Sequence, residues 1–202
     1  MRKKVQDKDD GKLSQIYPWS RYAFGIDPGL KGGIACIDNI DRKVILAVST
    51  PTKLDEASGK PTYDIPAMVS ALSIKDIYDL MYNSSLMIER QQAMPKQGVV
   101  SMFTTGFGYG IWTAIITMLP IPEDRIYVVR SMDWQVLLKG ETANDETKAK
   151  SLARIGRLFP DVDLVGPGSR KKAASDGIAD AINIADYLCL RMVYPDDHRT
   201  IC

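Results

Sequence analysis

The chain has 202 residues, 45% of them apolar and 25% charged, which excludes a disordered or fibrous polypeptide. Its net charge of +1 neither requires nor excludes a nucleic-acid partner, and no apolar run reaches the roughly 18 residues that span a bilayer, so a membrane protein is not expected. A single histidine, His198, and three cysteines, Cys36, Cys189 and Cys202, that share no ligand spacing argue against His-based nucleophilic catalysis and against a Cys/His zinc site.

Residues 1–20 read as a polar tail. They hold five basic and three acidic residues and no apolar core, unlike a secretory signal or a transit peptide. With so few cysteines, a reducing, cytoplasmic setting and no secretion are expected. Tyr22–Asp27, Gly33–Asp38 and Lys43–Val48 read as strands joined by short turns, an antiparallel meander. Residues 51–63, with two prolines and a glycine, read as a loop. Ile65, Met68, Val69, Leu72, Ile77 and Leu80 recur at helical spacing within 64–81. Ser85–Glu89 reads as a buried strand, 99–119 as a long apolar helix, Arg125–Val129 as a strand and Met132–Leu138 as a short helix. Two amphipathic helices, 146–159 and 173–192, close a domain of residues 21–193, and 194–202 form a second tail.

Strands four and five are each reached through a helix, so right-handed crossovers make them parallel to the first. The expected fold is α/β: a five-stranded mixed sheet, three antiparallel strands then two parallel, with helices on both faces.

This layout singles out four acids. Asp27 ends the first strand and Glu89 the fourth, while Asp176 and Asp180 stand four residues apart on the last helix and share a face. Taken singly they have plainer readings: a turn-former before Pro28, a strand-end partner of Arg90, a helix N-terminal acid near Ser175, a solvated helix acid. Asp186 reads as a solvated helix acid too. Together, four carboxylates repel one another, and oxygen ligands without His or Cys suit Mg²⁺ or Mn²⁺. Two such ions about 4 Å apart activate water and stabilise a leaving oxygen in phosphodiester cleavage.

The stretch 147–172 carries seven basic residues, Lys148, Lys150, Arg154, Arg157, Arg170, Lys171 and Lys172, against Asp161 and Asp163. Such a patch supplies salt-sensitive affinity for phosphates; its plain alternative is a solvated helix face. The segment after Glu89, with Gln91, Gln92, Met94, Lys96 and Gln97, starts at the strand ends beside these acids; its plain alternative is a polar loop. In the helix 99–119, Gly106, Gly108 and Gly110 cost about 1 kcal/mol each relative to Ala, which calls for close backbone approach to the sheet or to a second copy.

The runs Phe24–Gly29 (FGIDPG) with Gly32–Ala35, Met87–Gln92 (MIERQQ) and Asp176–Ala185 (DGIADAINIA) together resemble RuvC-type Holliday-junction resolvases, in particular the branch found in bacteriophages. Met94–Gly98 with Ser101, Trp134-Gln135, and Thr147–Ser151 leading to Leu158–Pro160 extend the resemblance over residues 21–190. It implies an RNase H-like nuclease domain, a homodimer and Mg²⁺-dependent paired nicking of four-way DNA junctions, with two ions per site and no small-molecule cofactor. Asp27, Glu89, Asp176 and Asp180 match the metal-binding, catalytic acids, although the bacterial host enzymes space the last two at i, i+3. Gln91, Gln92, Met94, Lys96, Gln97, Lys148, Lys150, Arg154, Arg170, Lys171 and Lys172 are the DNA-binding candidates. Phe103, Phe107 and Trp112 are the candidate dimer anchors. Residues 1–20 and 51–63 have no counterpart in the resemblance. The alternatives are a nuclease of the same fold acting on other branched DNA or on RNA/DNA hybrids, a non-catalytic branched-DNA binding module and, from the Gly25–Gly29 and Gly32-Gly33 pattern, an actin-like kinase.

Overall fold

The computed structural model describes residues 20–72, 80–93, 96–141, 146–165 and 174–193. The N-terminal residues up to 19, the end of the expected helix at 73–79, Met94, Arg170, Lys171, Lys172, His198 and Cys202 lie outside the described residues.

Strands β1 (Tyr22–Asp27), β2 (Gly33–Asp38) and β3 (Lys43–Ser49) form the antiparallel meander. The chain then makes a hairpin of β4 (Thr52–Leu54) and β5 (Pro61–Tyr63), helix α1 (Ile65–Leu72) and strand β6 (Ser84–Glu89). Helix α2 (Val99–Thr117) leads through a 3-10 turn at Glu123–Arg125 into β7 (Ile126–Val129). A short helix α3 (Ser131–Trp134), extended by a 3-10 turn at Gln135–Leu138, is followed by α4 (Thr147–Leu158) and α5 (Asp176–Val193). The sheet order is β3-β2-β1-β6-β7, with β1/β6 and β6/β7 parallel. This is the expected five-stranded mixed sheet.

The hairpin β4/β5 corrects the reading of 51–63 as a loop. Its strands are three residues long and β4 is fully exposed, so no apolar alternation marks them.

Alternation along the strands divides the core in two. Phe24, Ile26, Ile34, Cys36, Leu86 and Ile88 face Met68, Leu72, Trp112, Ile115 and Ile116 on one side of the sheet. Ala23, Ala35, Ile37, Met87, Tyr127 and Val129 face α5 on the other, with Ile155 of α4 and Trp134 of α3. The same parity turns Asp27, four residues on from Ala23, and Glu89, two on from Met87, toward α5.

Three glycines let α5 lie against the strands. A Cβ at Gly25 would overlap the backbone of Ala181 and Ala185, one at Gly33 would stand 2.8 Å from the Gly177 carbonyl oxygen, and one at Gly177 would overlap the Lys31 carbonyl. Backbone-to-backbone contact brings the first turns of α5 directly over the ends of β1 and β2.

Helix α2 packs differently. Only Gly108, Trp112, Ile115 and Ile116 are buried, whereas Val99, Val100, Phe103 and Phe107 are exposed. By length and composition it could cross a membrane, contrary to the sequence reading, because its Gly, Ser and Thr residues break up the run without adding charge. Of its glycines only Gly108 meets a close neighbour, Tyr63 of the hairpin; Gly106 and Gly110 face open space.

Candidate active site

Asp27 closes β1, and the turn that follows is hydrogen-bonded from Gly32 N to the Gly29 carbonyl. Its carboxylate accepts the Gly29 N–H at 3.1 Å, so the turn-forming role coexists with its place at the strand end. Burial is the main force raising the Asp27 pKa to about 6, opposed by the Gly29 N–H and reinforced by the negative charge of Asp176.

Glu89 ends β6 and pairs in register with Val129, one position beyond the Ile26–Ile88 pair that places Asp27 beside it. Ser131, at the start of α3, donates its hydroxyl to the Glu89 carboxylate. Burial, with the charges of Asp27 and Asp180, pushes Glu89 up to about 7 against that hydrogen bond.

Asp176 and Asp180 extend from the first turns of α5, whose start is capped by Ser175 Oγ accepting the Ile178 N–H at 3.3 Å. Burial alone would raise the Asp176 pKa, but a hydrogen bond and ion pair with Lys148 of α4 outweigh it and hold the carboxyl below its usual range. Asp180 accepts a hydrogen bond from Ser151 of α4. Burial, opposed by Ser151 and reinforced by the charges of Asp27 and Asp176, raises Asp180 to about 7.

The four acids therefore share one end of the sheet and feel one another's charge. Among the described residues no three of them converge at metal-ligand spacing. Ser131, Ser151 and Lys148 each hold one carboxylate, which keeps the like charges apart. The donor set fits a hard divalent cation: all oxygens, three of them on half-buried carboxyl groups whose ionisation is held back by desolvation and mutual repulsion, a cost that a bound cation offsets. Ser131 escaped the sequence reading, and Ser151 entered it only as the end of the run Thr147–Ser151, since a serine partner of a carboxylate has no spacing signature across 42 or 29 residues.

The basic candidates separate into two kinds. Lys148 is exposed but reaches Asp176. Lys150 borders a shallow hollow with Gln135, Lys139 and Thr147. Arg154 departs from its assignment as a DNA contact: it is buried, donating to Asn183 Oδ1 at 2.7 Å and to Asp186 Oδ2 at 2.6 Å. Asp186, expected in solvent, is 1% exposed and also pairs with Arg42. Charges on the apolar faces of both helices were the available signal, because a buried charge needs a partner.

Beyond Glu89, Arg90 N still donates to the Val129 carbonyl at 2.7 Å, so the loop leaves from the end of the ladder. Gln91 and Gln97 are half-buried, and Gln92 and Lys96 are exposed, Lys96 with a left-handed backbone at φ 68°. Gln97 donates to Ser101 Oγ at 3.0 Å, and a cavity of about 180 Å³ lies between this loop and Met102, Thr105 and Tyr109 of α2.

Of the dimer candidates, Phe103 and Phe107 are 73% and 48% exposed and stack with ring centroids 6.1 Å apart. Trp112 is fully buried in the chain's own core. One turn past Gly108 it lies on the sheet-facing side of α2, which removes it from any surface role.

No protein-family model matches the chain, and no curated protein matches its sequence. Among solved structures, the yeast mitochondrial Holliday junction resolvase Ydc2 is similar with a TM-score of 0.52 and 17% identity over 95% of this chain and 87% of that one. RuvC of T. thermophilus, solved in complex with a Holliday junction substrate, is similar with a TM-score of 0.46 and 14% identity over 85% of this chain and 92% of that one. The likeness to the yeast resolvase is one of fold: a five-stranded mixed sheet flanked by helices.

Proposed function

We propose that the chain is a divalent-metal-dependent endonuclease that resolves four-way DNA junctions by paired nicks, working as a two-fold homodimer. One observation carries the reading: half-buried carboxylates from β1, β6 and α5 lie within each other's field at the strand ends, on a fold shared with a junction resolvase. Asp27, Glu89, Asp176 and Asp180 are the residues that would hold Mg²⁺ or Mn²⁺. When bound, such ions activate water and stabilise the leaving oxygen.

The chain's own residues supply the rest. Ser131 and Ser151 orient Glu89 and Asp180. Lys148, paired with Asp176, keeps a positive charge at the crevice where a phosphate would approach. Gln91, Gln92, Lys96 and Gln97, on the segment that follows Glu89, are assigned to the branch point and Lys150 to the duplex arms; the sequence adds Met94 to the first group and Arg170, Lys171 and Lys172 to the second. A two-fold pair presents the same crevice twice, one for each cut on strands of like polarity. The stacked, exposed Phe103 and Phe107 are its anchors.

A labelled immobile junction incubated with Mg²⁺ tests this, with flaps and RNA/DNA hybrids as competitors. Asp27→Asn, Glu89→Gln and Asp180→Asn are expected to lose nicking by about 10³-fold or more while binding the junction as well as wild type or better. Wild-type nicking by Asp27→Asn, or a preference for hybrids, would overturn the proposal.

A further inference from the structure

A chain of side-chain hydrogen bonds runs from the β2–β3 turn to Asp180. Arg42 donates to Asp186 Oδ1, and Arg154 donates to Asp186 Oδ2. Arg154 also donates to Asn183 Oδ1, Asn183 Nδ2 donates to Ser151 Oγ at 2.9 Å, and Ser151 donates to Asp180 Oδ1. Ser151, Asn183 and Asp186 are at most 1% exposed, and Arg154 is buried.

Each link fixes the direction of the next. A guanidinium only donates, so Arg154 must face the oxygen of the Asn183 amide, and the NH₂ end is left for Ser151. Ser151 Oγ then accepts from Asn183, and its one proton goes to Asp180. Asp186 holds Arg154 in place, and Arg42 holds Asp186 from the far side. Arg42 does so with φ 51°, a backbone region that residues other than glycine seldom occupy.

Stability alone gives little reason for the arrangement. Apolar residues of similar volume would join α4 to α5 as well as a buried ion pair does. What an apolar interface lacks is a donor aimed at Asp180.

We propose that Arg154, Asn183 and Ser151, with Arg154 anchored by Asp186 and Asp186 in turn by Arg42, form a one-way donor chain whose role is to position the Asp180 carboxylate. Ser151 is the positioning residue that touches it, and Asn183 sets the direction in which the Ser151 proton points. The inference deepens the proposed function, because Asp180 is one of the acids assigned to the metal there.

The test compares wild type with Ser151→Ala and with Asn183→Asp, which preserves volume but turns the amide donor into a second acceptor and draws the Ser151 proton away from Asp180. Three readouts are taken: high-resolution crystal structures, Mn²⁺ titration calorimetry and single-turnover nicking. Both variants are expected to displace or disorder the Asp180 carboxylate, to weaken Mn²⁺ binding about 10–100-fold, and to slow nicking without changing the junction concentration needed for half-saturation. A role in packing alone predicts that Asn183→Asp leaves Asp180 in place. An Asp180 carboxylate at its wild-type position in either variant overturns the inference whatever the nuclease assay gives. A wild-type protein that neither binds Mn²⁺ nor nicks junctions, yet loses its Asp180 position in both variants, upholds the inference and overturns the proposed function. Should one variant fail to fold, the other carries the same three readouts.

Discussion

Helices α5 and α2 are nearly equal in length and lie on opposite faces of the same sheet, yet fourteen of the eighteen α5 positions are buried against four of the nineteen in α2. Nor does composition explain the difference, for α5 carries Asp176, Asp180, Asp186 and Arg191 while α2 has no charged residue at all. The more polar helix is the more buried one. Small residues decide it: Gly25, Gly33 and Gly177 let α5 reach the backbone of β1 and β2, and its buried Asp186 is paired with Arg154 and Arg42. Helix α2 touches the sheet along one stripe and leaves Val99, Val100, Phe103 and Phe107 outside. An apolar helix with one face free is a surface for another molecule, whereas a polar helix with every face taken is a scaffold for a site.

The sharpest way to break this comparison is to exchange the faces of α2. Trp112→Ala, on the sheet side, is expected to cost about 3–5 kcal/mol in urea unfolding. Phe107→Asp, on the outer side, should leave the monomer within about 0.5 kcal/mol of wild type and shift the mass in solution from twice 22.4 kDa to once that value. Equal damage from both substitutions would make the outer face part of the chain's own core.

Next in size is Gly25→Ala. Its Cβ meets the rigid backbone of Ala181 and Ala185, so a loss of about 2–3 kcal/mol is expected, together with weaker Mn²⁺ binding as α5 is pushed off the strand ends. A neutral result would mean that α5 slides freely.

The pH dependence sharpens the other half. Asp27, Glu89 and Asp180 have folded-state pKa values raised to about 6, 7 and 7, above those of an unfolded chain. A raised carboxyl pKa means that the folded state holds its proton longer. In EDTA, stability should therefore be highest near pH 4–5 and fall as pH climbs toward 7–8. Asp180→Asn should flatten that fall, and Mg²⁺ should reverse it. A melting temperature that rises steadily from pH 5 to pH 8 in EDTA would contradict the crowding of these acids.

The smallest effect belongs to Gly110→Ala. With no atom near the added methyl group, this exposed helical position should gain about 0.5–1 kcal/mol. A loss instead would reveal a neighbour on that face.

The sheet was legible because its strands alternate and its turns carry Pro28-Gly29 and the polar run Asn39–Arg42. Asp27 and Glu89 were legible for the same reason: parity along a strand assigns a face. The hairpin at 52–63 was not, since its strands are three residues long, β4 is exposed and Tyr63 is the one residue of β5 that is buried, too little to show an alternation. Trp112 was misjudged because an aromatic on an apolar helix reads alike whether it faces the core or a partner. The Arg154–Asp186 pair was hidden by distance along the chain: two charges 32 residues apart carry no mark that they meet. What could be read was periodic; what was missed depends on contacts between elements far apart in sequence.

The crevice draws its acids from both ends of the described chain, Asp27 on the first strand and Asp176 and Asp180 on the last helix. A growing chain that has reached Glu89 already carries two of the four carboxylates, but the others emerge only after some ninety further residues. Until α5 docks, β1 and β6 also lack the cover for one whole face. Such long-range closure makes folding slow, and it ties completion of the site to completion of the fold. A half-made copy of this chain therefore holds two carboxylates at the strand ends and none of the pair that α5 brings.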